Sequence, residues 1–87
     1  MLLITYDLNK PGQDYDDFLK IIKSYAYARL SESSYAVDTA ETPSVVYNKL
    51  RSDMDKNDYL CVMTLVPPYA GYNHKDVIDW LADHLPQ

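Results

Sequence analysis

The sequence predicts one small, soluble, acidic α+β domain with a ferredoxin-like β-α-β-β-α-β sheet and an additional C-terminal helix. Three observations support this prediction. The chain has 87 residues, the length of a single domain that spans 1–87. Hydrophobic residues make up 47% and charged residues 24%, which is typical of a globular protein and excludes a disordered one. Strand-like and helix-like apolar patterns alternate in the order that the split β-α-β arrangement requires.

Apolar periodicity and turn residues define the expected elements. Apolar residues at three- and four-residue spacing predict helices, whereas short β-branched or aromatic runs predict strands. Pro67 and Pro68 follow the last strand, because proline cannot continue a central strand. The expected elements are a strand over 1–8, a loop over 9–12, a helix over 15–26, two strands within 28–39 that meet near Ser33, a helix that starts at Thr42-Pro43, a strand over 59–66, and a final helix capped by Asn73.

The two central helices carry recognisable start signals. Asp14 is expected to cap the first helix, and Asp16 and Asp17 place negative charge in its first turn, where the helix dipole favours it. Thr42 caps the second helix and Pro43 occupies its first position.

One hydrophobic core is expected to hold these helices against the sheet, and the last helix carries a separate apolar side. Cys61 lies within the apolar run 59–66 and is expected to be a small core residue. As the sole cysteine it excludes an intramolecular disulfide. The predicted core members are Ile4, Phe18, Ile22, Val46, Leu50 and Val62, and the apolar side of the last helix comprises Val77, Ile78, Leu81 and Leu85.

The charge balance argues against nucleic acid and membrane surfaces as partners. The net charge is −5, and the eight basic residues form no run. A net negative field repels phosphate backbones and anionic lipids. The sequence contains no apolar stretch near the roughly 20 residues of a membrane span, and its N-terminus lacks a signal-peptide pattern. We therefore expect a cytoplasmic protein.

Tyrosine is unusually frequent, with nine residues against one Phe and one Trp. Its ring is apolar and its tip polar, so it suits half-buried positions and interfaces. A small domain with many tyrosines is expected to complete its core by forming a homodimer. Tyr6, Tyr69 and Tyr72 are the candidate interaction residues. Gly71 allows a tight turn between the last two, and the segment 69–73 is either an ordered element that leads into the last helix or a ligand or partner surface.

Asp7 is the candidate catalytic and metal-binding residue. It ends an apolar first strand, where an acid is exposed at a sheet edge or at a subunit interface. One interpretation is a metal ligand or a general acid or base. The other is a polar strand end, or a cap for the turn over 9–12. The pattern leaves both open.

The remaining acidic residues and histidines predict no site. Carboxylates at adjacent helix positions point in different directions, and the calcium-loop spacing is absent. Neither histidine has a standard metal-ligand spacing. We expect Asp14, Asp16 and Asp17 to interact with the helix dipole. We expect Asp53, Asp55 and Asp58 to form a solvated turn. We expect His74 and His84 to be surface histidines.

Four segments together resemble a known family. They are LITYDLNKPG at 3–12, RLSESSYAV at 29–37, Leu50 with MDKNDYL at 54–60, and AGYN at 70–73. These segments look like the SinR-like small proteins of bacteria and phages. That group is similar to the CRISPR-associated protein of the second core type, the small dimeric partner of the spacer-integration enzyme. The resemblance extends from residue 2 to about 73.

The resemblance implies a ferredoxin-like monomer that pairs into a dimer. It also implies a role for Asp7, which matches the proposed metal-binding aspartate of a nuclease, duplicated across the dimer. Two departures from the family weaken that role: the chain is acidic, and the loop after Asp7 lacks a cluster of Arg and Lys. The C-terminal helix is a third difference from the shortest relatives.

Three functions follow as hypotheses. The first is a non-catalytic, homodimeric scaffold or interaction protein in bacterial or phage defence, with a protein partner in a defence complex. The second is a Mg²⁺-dependent endonuclease, acting on RNA or DNA, in which Asp7 of each subunit holds the ion. The third is an acidic inhibitor that mimics nucleic acid. Magnesium is the one cofactor implied, and only the second hypothesis implies it.

Overall fold

The elements of the fold follow the expected order. A computed structural model describes residues 1–9 and 15–85. Asp14, the predicted cap of the first helix, lies outside the described residues, as does most of the predicted loop over 9–12. The elements are β1 Leu2–Asp7, α1 Asp16–Lys23, β2 Ala26–Ser31, β3 Ser34–Asp38, α2 Pro43–Arg51, β4 Tyr59–Thr64 and α3 Lys75–His84.

The four strands form one sheet in the order β2-β3-β1-β4, and every neighbouring pair is antiparallel. β1 and β2 are therefore parallel to each other, with β3 between them. This is the split β-α-β arrangement of a ferredoxin-like fold, and it confirms the predicted fold class. The β1–β4 pairing runs from Leu2 opposite Thr64 to Asp7 opposite Tyr59.

One face of the sheet packs against α1 and α2 and forms the main core. Side chains alternate between the two faces along a strand, so the even-numbered residues of β1 point to this face. The predicted core is confirmed, with Val62 partly buried at its border and the other five members fully buried. The core cluster comprises Leu2, Ile4, Phe18, Ile22, Tyr35, Val37, Val46 and Leu50.

The opposite face is covered only in part. α3 packs over β2, and buried Leu81 of α3 and Leu85, the residue directly after it, contact Ala36 of β3. The segment 65–73 crosses this face from the end of β4 to β2, where the Asn73 side chain donates from Nδ2 to the carbonyl oxygen of Leu30 at 2.9 Å. The end of the face formed by the second half of β1 and by Tyr59, Cys61 and Met63 of β4 is left open. Val77 packs against this second cluster, as the predicted apolar side of the last helix requires.

The helix ends show where local signals succeed and fail. Thr42 caps α2 as predicted, because its Oγ1 accepts a hydrogen bond from the Val45 amide at 3.3 Å. α1 ends at Lys23 rather than at 26, since the Ser24 hydroxyl donates to the Ile21 carbonyl at 2.6 Å and β2 already begins at Ala26. The predicted cap of α3 is wrong. His74 occupies the cap position without a side-chain bond, and Asn73 instead ties the preceding segment to β2.

The prediction that Cys61 is a core residue is wrong. Its side chain is exposed. Leu60 and Val62 pack against the main core, so Cys61 points to the opposite face by strand alternation. α3 does not reach that part of the sheet, and the apolar run of β4 is therefore exposed to solvent on one face. β4 also ends at Thr64, two residues before the predicted end.

Candidate functional site

The uncovered end of the sheet is the first candidate surface. We call it the open face and define it by Thr5 and Asp7 of β1 and by Tyr59, Cys61 and Met63 of β4. Thr5 lies opposite Cys61, and Asp7 lies opposite Tyr59. Tyr59 is 69% exposed and Met63 is 45% exposed. The open face is therefore largely apolar, with one carboxylate at its edge.

Asp7 lies at the end of β1 with an exposed side chain. Among residues 1–9 and 15–85, no group of three or more His, Cys, Asp and Glu side chains is arranged to hold a metal ion. Magnesium is usually bound by one or two carboxylates together with water and substrate phosphates, and a second chain would be the source of a second carboxylate equivalent to Asp7. Its role as a metal ligand and catalytic residue stays a prediction.

Tyr6 lies beside Asp7 but points to the other side of the strand, into the border of the main core. Its ring meets Phe18 edge-on at a centroid distance of 4.9 Å and stacks near Tyr35 at 6.3 Å. Its hydroxyl donates to the carbonyl oxygen of Glu32 at 3.3 Å. Burial, with a further contribution from nearby Tyr35, raises the pKa of Tyr6 to about 12. Tyr6 thus stays protonated and anchors the β2–β3 turn to β1.

A cleft of about 550 Å³ opens between Tyr6, α1 and the β2–β3 turn. Lys23 and Arg29 line it, together with Asp7 and Glu32, so cations and anions are balanced. The Arg29 guanidinium is already engaged, because it donates to the carbonyl oxygens of Ser31 at 3.2 Å and Glu32 at 3.3 Å. The cleft offers no net basic surface for a phosphate backbone.

Tyr69 and Tyr72 lie on the segment that precedes α3. Tyr69 is 43% exposed and Tyr72 is fully exposed. Beneath this segment, an apolar cavity of about 230 Å³ separates it from the sheet and α3. Both tyrosines remain candidate interaction residues. The aliphatic side chains that line the cavity are Leu3, Leu30, Leu65, Ile78, Leu81 and Leu85.

Asp58 is the residue that sequence reasoning missed, and the prediction of a solvated turn is wrong for it. Its side chain is buried, with 8% exposure. The carboxylate accepts hydrogen bonds from the backbone amides of Asn9 at 2.7 Å and Asp55 at 2.9 Å. It also accepts one from the Tyr15 hydroxyl at 2.9 Å. Burial by itself raises the pKa of Asp58, but these hydrogen bonds outweigh burial and hold the pKa below its usual value.

His84 is also more engaged than a surface histidine. Its Nδ1 lies 2.6 Å from Oδ2 of Asp38, and its ring stacks on Trp80 at a centroid distance of 3.9 Å. These contacts join the end of α3 to the end of β3. His74 is exposed, as expected. No local pattern could have found the His84 contact, because Asp38 lies 46 residues away in the sequence.

No protein-family model, curated protein or solved structure matches this chain. The resemblance to SinR-like and CRISPR-associated small proteins thus gains no support from these comparisons and stays a prediction. Within the part of the chain that the structure describes, no helix has the length and apolar character needed to cross a bilayer.

Proposed function

We propose that this protein is a non-catalytic, homodimeric scaffold or interaction protein, and that it holds a protein partner in bacterial or phage defence. The open face is the observation that carries the proposal. It exposes Tyr59, Cys61 and Met63 at alternate positions along β4, on one face of the sheet. Contiguous exposed apolar surface of this kind is typical of protein interaction sites, and Tyr and Met are enriched in such sites.

The chemistry of the surface supports binding rather than catalysis. Asp7 is the sole acid on the open face as defined, and the neighbouring cleft balances its cations with anions. The assignment to defence rests on the family resemblance alone.

The first test is the mass of the protein in solution. Multi-angle light scattering at micromolar concentration is expected to give twice the 10.0 kDa mass of one chain. A stable interface usually buries roughly 800 Å² per partner. A monomer mass at micromolar concentration would remove the homodimer from the proposal.

A Mg²⁺-dependent endonuclease is the second candidate, and the exposed Asp7 carboxylate at the end of β1 is the observation that favours it. In such an enzyme, Asp7 of each subunit would hold the metal ion against a phosphate. An activated water would attack phosphorus and the P–O bond to the leaving sugar oxygen would break.

Cleavage assays separate the two candidates. We expect wild-type protein to leave single- and double-stranded RNA and DNA intact with or without Mg²⁺ or Mn²⁺. We also expect binding no tighter than about 10⁻⁴ M at physiological salt, because the net charge is −5. Asp7→Asn and Asp17→Asn form a matched pair, since both carboxylates are exposed. Metal-dependent cleavage that Asp7→Asn abolishes and Asp17→Asn retains would establish the nuclease instead.

A further inference from the structure

The outer edge of β4 is an unprotected strand edge. β4 is the last strand of the sheet, and it carries no charged residue, proline or glycine. Within residues 1–9 and 15–85, its backbone pairs with β1 alone. Natural proteins normally protect such edges with charges, proline or a covering element. An unpaired and uncharged edge of this kind is suited to pairing with another strand.

The direction of the free hydrogen-bonding groups follows from the ladder to β1. The Leu65 amide donates to the Met1 carbonyl oxygen at 3.0 Å and continues this ladder. Groups that point to the same side recur at every second residue in an antiparallel pair. The odd-numbered residues of β4 thus bond to β1. Leu60, Val62 and Thr64 present their N–H and C=O groups outward.

We propose that the partner at this edge is a second copy of the chain, whose β4 pairs antiparallel with β4 in a register centred on Cys61. The proposal rests on the homodimer of the proposed function and names its interface. In this register, Leu60 lies opposite Val62 of the partner subunit, and their outward groups bond to each other. Cys61 lies opposite Cys61 of the partner subunit. Helices α1 and α2 of both copies stay on the same side of one continuous eight-stranded sheet.

The complementarity of apolar residues favours a second copy of the chain as the partner at the β4 edge. Two chains that each carry a net charge of −5 repel each other, and β4 is a charge-free strip where they can approach. The register sets Tyr59 opposite Met63 of the partner subunit, and sulfur and aromatic rings attract each other. In this register, apolar side chains of one copy thus lie opposite apolar side chains of the other on both faces of the sheet.

Disulfide formation between the two Cys61 side chains tests this register directly. It lies at a pair without mutual hydrogen bonds, where Cα atoms are roughly 4.5 Å apart, and disulfides span about 4.4–6.8 Å. Diamide, an azo oxidant, takes two electrons and two protons from two thiols and leaves one S–S bond. We expect diamide to convert the wild-type protein to a covalent dimer. The Cys61→Ala/Met63→Cys variant is the matched control, because its thiols lie on the same face but roughly 13 Å apart in this register.

The expected result is cross-linking at least 10-fold faster in wild type than in this control at equal micromolar concentration. Equal rates, or no cross-linking in a sample that light scattering shows to be dimeric, would overturn the β4 register and leave the homodimer standing. A monomer mass would overturn both.

A second pair of variants tests the interface without oxidation. Cys61→Lys sets two ammonium groups opposite each other and is expected to weaken the dimer at least 10-fold. Tyr27→Lys adds the same charge on β2, at the opposite edge of the sheet and at a residue that is 38% exposed, and is expected to leave the dissociation constant unchanged. Circular dichroism checks that both variants fold. Equal dissociation constants for the two variants would contradict the proposal.

Discussion

Replacing Asp58 is expected to destabilise the protein more than replacing an exposed carboxylate such as Asp7 or Asp17. Asp58→Ala removes an acceptor that serves two backbone amides and the Tyr15 hydroxyl, at a site with 8% exposure. Hydrogen bonds to charged groups contribute about 1.5–3 kcal/mol each, and an unsatisfied buried amide costs about 1–3 kcal/mol. These effects are not additive, so we expect a loss of about 3–4 kcal/mol. An 87-residue domain has a total stability of roughly 4–13 kcal/mol.

The same carboxylate sets an acid limit on stability. The pKa of Asp58 is lower in the folded protein than in the unfolded chain, where it is about 3.9. Between these two values the unfolded chain binds more protons, so stability rises with pH there. The contribution is fully present above about pH 5 and is lost as pH falls through the folded pKa. Asp58→Asn, which cannot ionise, is expected to lose less stability than wild type between pH 5 and pH 2.5.

Urea unfolding followed by circular dichroism measures both effects. Asp53→Asn is the control, because it changes a half-buried carboxylate of the same turn and is expected to alter stability by less than about 0.5 kcal/mol. A loss below about 0.5 kcal/mol for Asp58→Ala, or equal acid sensitivity for wild type and Asp58→Asn, would refute the reasoning.

Two further substitutions test the core and the attachment of α3. Leu50→Ala empties a fully buried position and is expected to cost about 2–4 kcal/mol in urea unfolding; a loss under about 0.5 kcal/mol would contradict the core described above. Asn73→Ala removes the hydrogen bond to the Leu30 carbonyl and is expected to raise amide hydrogen exchange in the Lys75–His84 helix. Unchanged exchange there would show that this bond does not hold the segment.

The order of elements could be predicted because each one carries its own local signal. Thr42 and Pro43 start α2 with groups that lie within four residues of each other, and the five fully buried core residues follow helix or strand periodicity. Element ends were less accurate. The end of α1 depends on the start of β2, and helical periodicity through Tyr25 does not show that the chain has already turned toward the sheet.

The covered and uncovered parts of the sheet could not be predicted from local pattern. A continuous apolar run such as that of β4 does not show which of its two faces is exposed to solvent. The element that buries part of the opposite face is α3, and its position depends on the order of all four strands. Asp58 was misjudged for a related reason. Two of its three partners, Asn9 and Tyr15, are 49 and 43 residues away, and the one local partner, the Asp55 amide, is a contact that a solvated turn can also make.

The hydrogen bond between Asp58 and Asn9 also acts as a check on strand alignment. Asp58 comes directly before β4, and Asn9 follows β1 by two residues. This hydrogen bond therefore holds together one end of β1 and β4, the first and last strands in the sequence. A slip by two residues would keep every side chain on its proper face, because the side-chain period of a strand is two. Such a slip would move the carboxylate roughly 7 Å from the Asn9 amide. The buried carboxylate would then lose that hydrogen-bond partner. Misaligned pairings of β1 and β4 are therefore less stable than the native pairing.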